Sequence, residues 1–82
     1  MSGEPALFLD GRITIDPEIC NGKPTIRGKR IAAQTILEFL GAGETPEEIL
    51  KQYPSLEADD IRACLRFAAL LMDKRYDLAK VA

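Results

Sequence analysis

GAGETPEEILKQYPSLEADDIRACL, residues 41–65, decides how this chain folds. Thr45-Pro46-Glu47-Glu48 has the order of a capping box: Thr45 at the N-cap, Pro46 at the first helical position, and Glu48 placed to reach back to the Thr45 amide. The helix that starts there is short, because Pro54 stops it after Tyr53, and its apolar contacts are Ile49, Leu50 and Tyr53. After Ser55-Leu56 the periodicity predicts a longer helix from about Ala58 to about Tyr76, with Ile61, Cys64, Leu65, Ala68, Leu71 and Met72 on its main face. A short capped helix, a brief turn and a longer helix form the outline of a helix-turn-helix.

Working outward, Ala33, Ile36, Leu37 and Leu40 recur at helical spacing, and Gly41-Ala42-Gly43 supplies a glycine-rich helix end. Before Ile31 the pattern is that of short strands. Leu7-Phe8-Leu9 and Arg12-Ile13-Thr14-Ile15 flank Asp10-Gly11, a hairpin signal, and Asp16-Pro17 breaks the second strand. Pro24-Thr25-Ile26-Arg27 reads as a third short strand between the turn residues Gly22 and Gly28. The expectation is therefore one mainly α domain over residues 1–82: a hairpin region at about 6–30, then a three-helix helix-turn-helix unit at about 31–76.

The third helix is unusually wide in its apolar surface. Ala63, Phe67 and Leu70 form a second stripe, and only Arg62, Arg66 and Asp73 interrupt the apolar surface over residues 61–73. A surface helix normally carries one stripe, so two imply burial on two sides. A second subunit is the natural cover in so small a chain, which predicts a homodimer with Ile61, Leu65, Phe67, Leu70 and Leu71 in core and dimer packing. The alternative is that the hairpin covers the second stripe.

The totals bound the rest. Eighty-two residues make one small domain of ordinary globular composition. No apolar run approaches the roughly 18 residues of a membrane helix, and MSGEPALFLDG lacks the positive region of a signal peptide. A cytoplasmic chain with reduced Cys20 and Cys64 is expected, with no membrane partner. Histidine is absent, which removes the commonest general base and the commonest metal ligand. No serine stands with a plausible base and no glycine-rich cofactor loop is present. Glu47/Glu48 and Asp59/Asp60 are sequence neighbours that do not face each other on a helix. The expectation is no enzyme, no metal and no cofactor.

The net charge of −2 hides a pattern: residues 44–60 carry −5 and residues 61–82 carry +3. GKPTIRGKRI, residues 22–31, gathers Lys23, Arg27, Lys29 and Arg30 around Pro24 and two glycines. It is not a phosphate loop of the Walker type. Gly22 and Gly28 have five residues between them rather than four, and Arg30 stands where the hydroxyl belongs. The four cations suit phosphate contact with double-stranded DNA, or else a solvated turn whose charges balance nearby carboxylates. In a helix-turn-helix the third helix would read base edges with its N-terminal residues. Here those are Glu57, Ala58, Asp59 and Asp60, which suit the helix dipole better than a phosphate-lined groove. Arg62 and Arg66, one and two turns on, are the candidates there for phosphate contact.

The sequence also resembles a known family. I-T-I-D-P-E-I-C-N-G-K-P-T-I-R-G-K-R (13–30), G-A-G-E-T-P-E-E-I-L (41–50) and Y-P-S-L followed by D-I-R-A-C-L (53–65) resemble the bacterial domain-of-unknown-function family numbered 433, over about Ile13 to Ala69. The resemblance implies a homeodomain-like or winged-helix-like three-helix fold with short N-terminal strands. It also implies an antitoxin-like role, in which the protein binds and blocks a nuclease-like toxin and represses its own operon through DNA. Two positions depart from the family pattern. The G-T-R step is Gly28-Lys29-Arg30 here, and Glu57 stands where Thr or Ser usually caps the third helix. Two readings follow: an antitoxin-like dimeric regulator that binds DNA and a toxin, and a protein–protein interaction module without DNA binding.

Overall fold

Alternation of Ile13, Thr14 and Ile15 makes the middle strand of a small sheet, and the computed structural model, which describes residues 4–74, builds the rest around it. β1 (Ala6–Phe8), β2 (Ile13–Ile15) and β3 (Thr25–Ile26) form an antiparallel sheet in that order. Ala6 faces Ile15, Phe8 faces Ile13, and Ile13 faces Ile26. Three helices follow: α1 (Ala33–Gly41), α2 (Pro46–Gln52) and α3 (Ala58–Lys74). The chain is mainly α with a small three-stranded sheet. Arg75 and Tyr76, at the expected end of the third helix, lie outside the described residues.

The first hairpin forms, but not as a two-residue turn. Phe8 pairs with Ile13, so the loop is Leu9–Arg12, with Gly11 and Arg12 amides donating to the Phe8 and Leu9 carbonyls at 3.1 Å each. Leu9, Asp10 and Gly11 all have positive φ (54°, 59°, 80°). This wider loop takes Leu9 out of β1 and Arg12 out of β2, leaving the Arg12 side chain aimed at α3.

Local chemistry sets the helix ends. α1 has no side-chain cap; instead the Ala33 amide donates to the Pro24 carbonyl at 2.9 Å, so the strand region satisfies a helix-start donor. Gly43, at φ 100°, carries the chain out of α1, and the Glu44 amide returns to the Phe39 carbonyl at 3.0 Å. α2 carries the complete capping box. The Glu48 amide donates to Thr45 Oγ1 (3.2 Å), and the Thr45 amide donates to Glu48 Oε1 (2.8 Å).

The core joins Ile13 and Ile26 of the sheet to Ile36, Ile49 and Leu56, with Ile61, Ala63, Cys64 and Phe67 from α3. Phe39 and Tyr53 pack between α1 and the end of α2, ring centroids 6.2 Å apart. The hairpin covers part of the second α3 stripe: Phe8 lies 5.4 Å from Phe67 between ring centroids, and Ala63 and Phe67 are buried. Three of the residues expected in core or dimer packing are not in the core of this chain. Leu65, Leu70 and Leu71 are 50%, 48% and 44% exposed, whereas Ile61 and Phe67 are buried. The buried face of α3 is centred on Asp60, Cys64 and Phe67, which turns Leu65 outward. Leu70 and Leu71 lie beyond the turn of α3 that the hairpin and α1 cover.

Thr45→Ala, which removes one half of the capping box, is expected to lower the unfolding free energy by about 1 kcal/mol. Ile36→Ala, a fully buried truncation, is expected to cost about 2–5 kcal/mol. Urea melts of the two variants beside the parent chain check both values and their order.

Candidate functional site

The cationic stretch folds as a second, smaller hairpin. Thr25 pairs with Thr14 on one side and with Ala32 on the other. The Ile26 amide donates to the Ile31 carbonyl (3.1 Å), and the Lys29 amide donates to the Ile26 carbonyl (2.8 Å). Arg27 and Gly28 occupy the two central turn positions with φ 48° and 72°, the sign pattern of a type I′ turn. Gly28 adopts that conformation freely. Arg27 does not, and the cost of a left-handed backbone at a residue other than glycine persists only where the surroundings hold the residue in place.

Asp60 is what holds it. Its carboxylate is fully buried and accepts four hydrogen bonds. Oδ1 accepts from Arg12 Nη1 (2.7 Å) and Arg27 Nε (3.0 Å); Oδ2 accepts from Arg27 Nη2 (2.7 Å) and the Glu57 amide (2.8 Å). A carboxylate has about four lone-pair sites, so this one is saturated. Arg27 Nη2 also donates to the Ser55 carbonyl (3.0 Å), and Arg12 Nη1 donates to Glu57 Oε1 (2.9 Å). The Arg27 amide donates to the Arg12 carbonyl (3.0 Å), which sets the two guanidinium groups side by side over Asp60. Burial alone would raise the Asp60 carboxyl, but the bonds from Arg27, the Glu57 amide and Arg12 outweigh it and hold it below the usual carboxylate range. Among the described residues no buried side-chain polar atom lacks a partner.

Of Lys23, Arg27, Lys29 and Arg30, Arg27 is already engaged within the chain, although part of its side chain still meets water. Its guanidinium is turned inward on Asp60 and Ser55, because the left-handed turn that places it needs those bonds. Lys23 follows the left-handed turn at Cys20–Gly22, where Gly22 has φ 79°, and it is exposed. Lys29 is half-buried and Arg30 exposed at the second hairpin. Pro24 belongs to the backbone link with α1 described above. Arg62 pairs with Asp59 on the surface of α3; Arg66 is exposed, with no ion pair among the described residues. Arg12, Asp59, Arg62 and Arg66 share a polar cleft of about 230 Å³ with Leu9 and Asp10. Its guanidinium groups are largely matched by carboxylates.

The sequence places Arg12 in a strand and Asp60 at a helix start, and gives neither of them a part in a site. Asp60 shares one helix face with Cys64 and Phe67, a weak pointer to buried partners that the helix dipole, a sufficient reason for an acid at that place, conceals.

Residues 13–68 match the family model described as Protein of unknown function (DUF433). The chain belongs to this family. The match begins at the first residue of β2 and ends at Ala68, so the DUF433 span holds Arg27 and Asp60 and excludes Arg12, Leu70 and Leu71. A similar protein is "Uncharacterized protein y4eO" of Sinorhizobium fredii (strain NBRC 101917 / NGR234), 34% identical over 56 residues. That alignment covers 68% of this chain and 25% of the relative, so the chain spans about a quarter of the length of the protein it matches. No solved structure matches.

Among the described residues no cluster of three His, Cys, Asp or Glu is placed to hold a metal ion. No described helix is long and apolar enough to cross a membrane. Burial, with Asp60 nearby, pushes the Cys64 thiol up to about 11, so it stays a protonated core residue and not a thiolate nucleophile at neutral pH. The candidate site of this chain thus consists of saturated ion pairs that join three parts of the fold, beside an acidic helix start.

Asp60→Asn removes the negative charge that faces Arg12 and Arg27 and turns one of its two acceptor oxygens into an NH2 donor. It is expected to cost about 3 kcal/mol, the lower end for breaking a buried pair, since both arginines keep a water-facing side. The sign of the pH dependence follows from the depressed carboxyl. The Asp60 contribution is complete above the unfolded-state value of about 3.9 and is lost as pH falls through the lower folded-state value. Urea midpoints taken near neutral pH and at about pH 3 are expected to fall for the parent, and to fall less for Asp60→Asn.

Proposed function

We propose that this chain acts by binding and not by catalysis, as an antitoxin-like, dimeric, cytoplasmic module of helix-turn-helix type whose main task is to cover a basic protein partner such as a nuclease-like toxin. One observation carries the reading: the distribution of charge between inside and outside. Arg12 and Arg27 are directed inward to Asp60, while Glu47 and Glu48 are exposed with no ion pair among the described residues, and Glu57 and Asp59 are exposed beside Arg12 and Arg62. Pro46 and Ala58 line one shallow groove with Ile61, Arg62 and Leu65, so the acidic first turns of α2 and α3 lie side by side. An outward acidic face at paired helix starts attracts a cation-rich protein surface and repels a phosphate backbone.

DNA binding is the second reading, favoured by a different observation. Lys23 and Arg30 remain exposed on the hairpin side, and Arg66 has no ion pair among the described residues. With α3 in the role of recognition helix, its acidic start opposes groove entry, so contact would run through the hairpin cations and Arg66 to phosphates. The homeodomain-like or winged-helix-like comparison belongs to this reading, with the Ile26–Ile31 hairpin in the place of a small wing.

The test pairs two titrations. Fluorescence anisotropy on duplex DNA from the chain's own upstream region, at low and near-physiological salt, is expected to give weak binding equal to that of a random duplex. The isolated product of the neighbouring reading frame is expected to bind by calorimetry, with a Kd raised about 10-fold or more by Glu47→Lys/Glu57→Lys. Sequence-selective DNA binding that survives salt and disappears in a Lys23/Lys29/Arg30→Ala variant would reverse the order of the two readings.

A further inference from the structure

The C-terminal part of α3 carries an apolar face that its own domain leaves bare. Asp60, Cys64 and Phe67 run down the buried side of the helix, and Leu71 continues that line one turn further. Phe67 is the last buried residue of the row; Leu70, Leu71 and Met72 are 48%, 44% and 73% exposed. Two hollows flank Leu71. One, of about 280 Å³, lies towards α1 and is walled by Pro24, Ala33, Leu37 and Ala68. The other, of about 290 Å³, lies towards the hairpin and is walled by Phe8, Ile15 and Leu70. Phe67 and Leu71 border both.

We infer that this face is the site of a two-fold contact with a second copy of the chain, in which Leu71 of each copy enters a hollow beside Leu71 of the other. The inference deepens the dimer named under the proposed function, by assigning its surface, and does not depend on the toxin or DNA readings.

Two features select a second copy over another partner. The first is shape. The same patch presents a projecting side chain and the hollows to receive it, the self-complementarity that a two-fold contact requires; a different partner needs only one of the two. The second is charge. A two-fold axis brings every residue near its own duplicate, so any charge in the patch meets its like. Among the described residues Gln34 is the only polar side chain bordering the two hollows, and no charged one does, on a chain in which 29% of residues are charged. The acidic starts of α2 and α3 lie at the other end of the helix from Leu71, clear of the axis. Size adds to the argument, since a chain of 82 residues buries a modest share of its surface alone and gains from continuing its core into a second copy.

Sedimentation velocity on the full chain is expected to give a species of twice the 9.1 kDa chain mass. Leu71→Asp places two like charges at the axis and is expected to raise the dimer Kd about 100-fold or more. Circular dichroism shows whether that variant still folds. A second measurement needs no substitution: in a mixture of ¹³C-labelled and unlabelled chains, isotope-filtered spectra are expected to show contacts from Leu70 and Leu71 methyls of one copy to Phe8 and Phe67 rings of the other. A monomeric parent chain at tens of micromolar overturns both the dimer and its surface. A dimer that persists in folded Leu71→Asp, or that lacks those intermolecular contacts because it pairs through the open edge of β1, overturns the surface and leaves the dimer standing. Contacts from Leu71 only to residues 75–82 of its own chain overturn the surface as well.

Discussion

One buried carboxylate organises this fold. Asp60 sits at the third position of α3 and takes bonds from the loop between β1 and β2, from the turn after β3, and from the residue that opens its own helix. The sheet is small: two strands of three residues and one of two. Strands that short are marginal by themselves. What fixes them against the helices is the apolar layer of Ile13 and Ile26, together with a carboxylate whose four acceptor sites admit a single arrangement of donors. A buried ion pair of this kind adds little net stability over a well-packed apolar alternative, yet breaking it leaves charges without partners. The left-handed Arg27 belongs to the same account: the backbone cost of φ 48° is offset by bonds available only in that place.

The network also determines what the outside offers. Were Arg12 and Arg27 on the surface, the hairpin side would be strongly cationic and the start of α3 would be its counterweight. Drawn inward, they cancel Asp60 and part of Glu57, and the remaining surface is divided. Lys23 and Arg30 mark the hairpin side, and Glu47, Glu48 and Asp59 mark the paired helix starts. Phosphate recognition depends on the number of cations that can meet the backbone at once. Removing Arg27 from that number weakens DNA contact more than the sequence count of four cations suggests.

The legible parts of this fold were those decided within a few residues. The Thr45/Glu48 box, the Gly43 helix end, the stop at Pro54 and the turn at Gly28 are local chemistry, and each was readable. Asp60 was not, for a physical reason. An acidic residue in the first turn of a helix already has a sufficient explanation in the helix dipole, and Asp59 beside it conforms to that explanation. The partners that distinguish Asp60 lie 48 and 33 positions away. Leu65 fails for another reason. When apolar residues cover most of a helix, periodicity no longer gives the phase of the buried stripe, and the neighbouring elements set it. The hairpin loop was displaced for the same kind of cause. Asp10-Gly11 favours a turn there, but the reach of Arg12 towards α3 goes with a loop of four residues.

α3 therefore divides along its length into two parts with different duties. Its first turns are spent inside the domain, with Asp60, Ile61, Ala63 and Cys64 all buried and the exposed acids paired or facing solvent. Its last turns, from Leu70 on, contribute nothing to the core of this chain. Residues separated in this way, with no shared partner, have nearly additive effects on stability. The division has a consequence for how the family match is read. The matched span ends at Ala68, where the self-contained part of the helix ends, and the apolar extension lies beyond it. The shared span thus holds β2, β3 and most of the helical core, but leaves out β1 and Arg12, which also pack on α3. The uncovered portion of α3 lies outside the matched span, as do β1 and Arg12 at the other end of the chain.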